Sequence, residues 1–219
     1  MIKKIFIIVG KDLKIDLNLG HLFFSVAIYL VSSIFVIYIS FGRLGINEFN
    51  TWISLFWIIL LYGSIVSVAK SFLHESENRN YYYYYLFSSS ELIFAKLIYN
   101  FFFLLILFFM SFGVYSILLG NLIKSSFFFF LLFVGALSIS NCLTFISAIS
   151  YQVKKNSMIM AILSFPLILP ILIILINLSK ITDIEFSWNI IEDDIYLLIL
   201  LNIILISLSN FLFKFLWKS

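Results

Sequence analysis

Six runs of apolar residues, each close to the length of a bilayer-spanning helix, divide the chain. They cover roughly residues 22–41, 51–68, 97–119, 127–151, 158–178 and 195–213. A hydrocarbon core needs about 20 such residues in helical form. None of the runs alternates apolar with polar, so the pattern predicts helices and not transmembrane strands. Leu, Ile, Phe and Val each favour insertion by about 0.3–0.6 kcal/mol at mid-membrane, which tolerates several serines or asparagines per span. Ahead of the first span, Ile2, Ile5, Phe6, Val9 and Leu13 fall on one helical face, with Lys3, Lys4, Lys11, Asp12 and Lys14 around the other. That reads as an amphipathic helix over residues 1–20 lying in the membrane interface. Ile5 to Val9 is too short an apolar centre for a cleavable leader. The fold class expected is therefore an all-α integral membrane protein, a single domain over residues 1–219 with six spans.

Composition agrees. Hydrophobic residues make up 63% of the 219 and charged residues 11%. Soluble domains carry about 25% charged residues, and this chain could not cover a water-facing surface. Where the charges lie matters more than the net +3. Eleven of the fourteen lysines and arginines (Lys3, Lys4, Lys11, Lys14, Lys70, Arg79, Lys96, Lys154, Lys155, Lys214 and Lys218) fall on one side of the six-span arrangement. Arg43, Lys124 and Lys180 fall on the other. By the positive-inside rule the first side is cytoplasmic, and both termini lie there.

No catalytic constellation accompanies the spans. There is no HExxH, no GxSxG and no glycine-rich phosphate loop ending in Lys-Ser/Thr, so this chain is not expected to be an enzyme or to hydrolyse ATP itself. Nothing in it suggests nucleic-acid binding. Asn100, Asn141, Thr144, Asn177 and Asn202 lie within spans, where such residues chiefly join helices. The lone Cys142 reads as a small packing residue, and no residue set selects a metal or a haem ligand.

Two features stand out from the apolar background. The fifth span contains "SFPLILP", with Pro166 and Pro170 four residues apart. Each removes a backbone N–H bond, freeing the carbonyls of Ile162 and Pro166 and marking a helix kink. Those carbonyls call for a polar or protein-packed setting. The second feature is the cytoplasmic loop of about residues 69–96, "AKSFLHESENRNYYYYYLFSSSELIFAK". It is too short to fold alone. Five consecutive tyrosines exceed what a headgroup belt needs, because a tyrosine ring also suits protein interfaces. The loop therefore reads as a docking element, with Lys70, Phe72, Glu75, Glu77, Arg79, Tyr81, Tyr82 and Tyr83 as its candidate interface residues.

This loop resembles that of the CcmB family, the haem exporter B permeases of cytochrome c maturation. The matching residues are Ala69, Lys70, Ser71, Phe72, Glu75, Ser76, Arg79, Tyr81 to Tyr85, Ser88, Ser89, Lys96, Ile98, Tyr99 and Asn100. Pro166 and Pro170 fit the family's Pro-x-x-x-Pro, and Lys11, Asp12 and Leu13 fit its N-terminal helix. The chain departs from many members in having five tyrosines, and "SSSE" where a Ser-Pro turn is common. The resemblance implies an ABC-2-type permease of the bacterial inner membrane, with the loop of residues 69–96 as a coupling element. It implies a separate ATP-binding subunit, a second copy of the chain and other haem-handling membrane subunits as partners. Haem would be cargo, not a bound cofactor, and ATP would act only through the partner. The output would be haem transfer or release of a haem-loaded periplasmic chaperone. A permease for a lipid or polysaccharide, and a non-transporting assembly scaffold, are the alternatives.

Overall fold

In lipid no water is present to satisfy the backbone, so each long apolar run closes its own hydrogen bonds as a helix. The computed structural model describes residues 2–19, 21–41, 46, 48–73, 86–123, 125–152, 157–184 and 188–216. Among them every regular element is helical: α1 (Ile2–Leu19), α2 (His21–Phe41), α3 (Phe49–Leu73), α4 (Ser89–Leu119), α5 (Phe127–Gln152), α6 (Ser157–Ile184) and α7 (Trp188–Leu216). Six of these, α2 to α7, are long and apolar enough to cross a membrane. The fold is thus all-α with six candidate spans.

The helices surround α5. In its apolar stretch 72% of the residues are buried, against 17% for α2 and 22% for α7, so α5 is the central helix and those two are peripheral. It packs against α3, α4, α6 and α7. Its sequence explains the position. Gly135, Ala136, Ser138, Ser140, Cys142, Thr144, Ser147 and Ala148 keep its surface small, so neighbouring backbones approach closely. At Gly135 an added Cβ would stand 2.6 Å from the Trp57 ring, so the missing side chain makes room for the indole of α3.

Helix ends follow local chemistry. Ser88 caps α4: its side chain accepts from the Glu91 amide at 3.4 Å, and its own amide donates to the Glu91 carboxylate at 3.0 Å. This reciprocal box starts α4 at Ser89, well before the expected residue 97, so the end of the expected loop is already helix. Gly120, with φ of 82°, ends it. The Trp52 indole donates to the Gly120 carbonyl at 3.0 Å, tying this turn to α3. Trp52, Phe56, Tyr115, Phe112 and Phe128 fill the space beneath in edge-on and tilted ring contacts, and the Tyr115 hydroxyl donates to the Trp52 carbonyl at 3.1 Å.

One expectation about α1 is corrected. Its inner face is Ile5, Ile8, Val9 and Asp12, all buried. Asp12, expected on the polar face, is only 8% exposed. The reason is that α1 packs on α4, where a lysine stands ready for the carboxylate.

Candidate coupling surface and the polar seam

The expected docking residues belong to the end of α3 and to the segment between α3 and α4. The α3 backbone carries Lys70 and Phe72, whose side chains lie outside the described residues. Glu75, Glu77, Arg79, Tyr81, Tyr82 and Tyr83 also lie outside them. Described structure resumes at Leu86, and there the chain meets α1 at once. Lys4 Nζ donates to the Leu86 carbonyl at 3.2 Å, stands 6.0 Å above the Phe87 ring and lies 4.0 Å from Glu91 Oε2.

Farther along α4 a second ionic contact lies inside the packing. Lys96 Nζ is 3.2 Å from Asp12 Oδ2, and Lys11 Nζ is 2.8 Å from Asp12 Oδ1. Lys96 and Asp12 are both buried, and the ammonium sits 5.9 Å from the Tyr99 ring. Sequence reasoning did not single out this group. A signal existed: Asp12 continues the i, i+3, i+7 stripe of Ile5 and Ile8, and Lys96 interrupts the apolar entry of α4.

Between the helices the polar groups pair with one another. Asn100 of α4 donates to Thr144 of α5 at 2.9 Å. Asn141 of α5 donates to the Asn202 carbonyl oxygen of α7 at 2.8 Å, and the Asn202 amide donates to Ser138 at 2.7 Å and to the Leu198 carbonyl at 2.9 Å. The Trp57 indole donates to Ser179 of α6 at 3.0 Å. These contacts join α3, α4, α6 and α7 to the central helix or its neighbours, the helix-joining role expected of membrane asparagines and serines. Cys142 is a free, fully buried thiol in the same seam. Among the described residues no group of three His, Cys, Asp or Glu side chains could hold a metal ion.

Pro166 and Pro170 lie inside α6, which runs unbroken from Ser157 to Ile184. Both rings are exposed on the outer face, among Ile162, Phe165, Leu167, Leu169 and Ile173. On another outer face, an open apolar groove of about 360 Å³ is lined by Ala27, Ile28, Val31, Ser32 and Phe35 of α2 and Met110 of α4. Its Ser32 hydroxyl is already donated to the Tyr29 carbonyl, at 2.9 Å, so the groove presents hydrocarbon.

No curated protein and no solved structure matches the chain. A family model described as CcmB protein matches residues 3–215, covering α1 and all six spans. With the tyrosine-bearing loop, the paired prolines and the six apolar helices all inside that match, the chain belongs to the CcmB family, membrane permeases of haem export in cytochrome c maturation.

Proposed function

We propose that this chain is the permease subunit of an ABC-type complex of the bacterial inner membrane, with both termini cytoplasmic. It works with a separate ATP-binding subunit, a second copy of itself and other haem-handling membrane subunits. Hydrolysis by the partner drives haem transfer, or release of a haem-loaded periplasmic chaperone. The observation that carries this reading is the family match over nearly the whole chain. The sequence has no phosphate-binding loop of its own, which is consistent with a separate ATPase.

In this mechanism the permease performs no covalent chemistry. Lys70, Phe72, Glu75, Glu77, Arg79 and Tyr81 to Tyr83 dock the ATPase, while α1 lies in the cytoplasmic interface beside them. Motion enters at α3 and α4, the two helices that flank the segment, and α5 distributes it through its contacts with α6 and α7.

Interface energy is concentrated in a minority of residues, among which tyrosine and arginine are enriched. Arg79→Ala, and Tyr82→Ala combined with Tyr83→Ala, are each expected to weaken ATPase association by about 5–150-fold. Tyrosine-to-phenylalanine changes keep the ring and are expected to be milder. Pull-down of the ATPase in detergent measures this. Full recovery with the double alanine variant overturns the docking assignment. A wild-type complex with an ATPase but no haem dependence points to another cargo, and absence of any ATPase points to a scaffold.

A further inference from the structure

We propose that the buried Asp12–Lys96 ion pair is a transmission joint, which fixes the register of α1 on α4 so that both move as one body when the ATPase acts. This rests on the permease reading above and deepens it.

The argument begins with cost. Lys96 and Asp12 are 6% and 8% exposed, so both charged groups have left water. A buried ion pair is rarely more stable than well-packed apolar residues of the same volume, because desolvation offsets most of the attraction. Stability therefore does not explain why this contact is ionic. Register does. Ile5, Ile8 and Val9 are also buried on α1, which packs on α4, and aliphatic contacts tolerate sliding. A one-residue slip turns Asp12 by about 100° and withdraws its carboxylate from Lys96, leaving two buried charges apart. The pair thus makes displacement of α1 along α4 expensive where the apolar contacts alone would not.

Position supports the same assignment. Lys4 grips the point where the chain re-enters α4, through the Leu86 carbonyl, the Phe87 ring and Glu91. Asp12 grips α4 again at Lys96, farther into the bundle. Two separated anchors define an orientation, whereas one defines only a pivot. The first turns of α4 and the length of α1 are thereby held together at the end of the bundle that carries the docking segment. Asp12 and Lys96 act as positioning residues and touch no cargo.

The test uses the full chain with its ATPase partner in membranes. Asp12→Asn and Lys96→Met are each expected to leave ATPase pull-down and ATP hydrolysis within about twofold of wild type. Haem attachment to cytochrome c is expected to fall about tenfold, in the range typical of coupling between distant sites. The double reversal Asp12→Lys with Lys96→Asp is expected to restore at least about half of that loss, since the relocated carboxylate still faces two ammonium groups. The apolar pair Asp12→Leu with Lys96→Met is expected to insert and fold yet stay uncoupled. Unchanged maturation in the single variants, no restoration by the reversal, or full maturation with the apolar pair would each overturn the joint. Absence of an ATPase from the wild-type pull-down would instead overturn the permease reading itself.

Discussion

Among the described residues two glycines face large side chains, and the neighbours differ in what they can yield. A Cβ at Gly63 would stand 2.5 Å from Leu30 Cδ2, the far end of a flexible side chain on the peripheral helix α2. A Cβ at Gly135 would stand 2.6 Å from Cη2 and 2.8 Å from Cζ3 of Trp57. That indole is fully buried, and its N–H is committed to Ser179 across the interface with α6. A rigid ring held at both ends cannot rotate away, so overpacking there forces α3 and α5 apart. Gly135→Ala is expected to destabilise the protein by about 1–3 kcal/mol, the usual cost of overpacking, and Gly63→Ala by clearly less. Thermal unfolding in detergent, followed by loss of the monodisperse peak, compares the two. Equal effects would mean that the Trp57 ring is free to move. Neither glycine draws notice in the sequence. Their meaning comes from which ring the fold places opposite, and no local pattern carries that.

At the scale of helices, α5 and α7 are joined by one asparagine pair. Asn202 accepts from Asn141 and donates to Ser138, so its amide serves two bonds across the interface. Asn202→Leu leaves the Asn141 amide buried without that acceptor, and is expected to cost about 0.6–2 kcal/mol in a membrane protein. Adding Asn141→Leu should recover part of the loss, because no donor is then left stranded. A double-mutant cycle measured by detergent unfolding gives the coupling directly. The spans themselves were legible, since a 20-residue apolar run in lipid has one practical solution. Their inward faces were not. Lipid is as apolar as the protein interior, so apolar character does not say which side of such a helix is buried. Small and polar residues carry the orientation instead, as along α5. The early start of α4 was also readable in principle, from Ser88 followed three residues later by Glu91. The serine run around it also suits a loop, and that hides the cap.

For the molecule as a whole, the decisive property is which way it faces. With all six candidate spans α2 to α7 crossing, the segment before α2 and the segment after α7 share a side. The same side receives the connection between α3 and α4 and that between α5 and α6. The lysines and arginines gather there: Lys70, Arg79 and Lys96 in the first connection and its flanks, Lys154 and Lys155 in the second. Glu48, Asp183, Glu185, Glu192, Asp193 and Asp194 belong to the connections, and their flanks, expected on the opposite side, though acids weigh little in setting topology. Basic residues near span ends resist translocation, so the lysine-rich end is expected to face the cytoplasm, where ATP and an ATPase would be found. Labelling with a membrane-impermeant thiol reagent reads this directly. Cys142 is first replaced by alanine, a small change at a fully buried site. Single cysteines are then placed at Ser76, Ser157 and Ser187. The first two are expected to react only in inverted vesicles or opened cells, and the third only in intact spheroplasts. If α4 or α5 failed to cross, Ser76 and Ser157 would no longer report the same side. If the whole protein were inverted, all three would exchange sides together. Reaction at Ser187 from the cytoplasm, with Ser76 reacting from outside, would overturn the charge-based orientation. It would also remove the docking segment from any contact with an ATPase, and the coupling mechanism would fall with it.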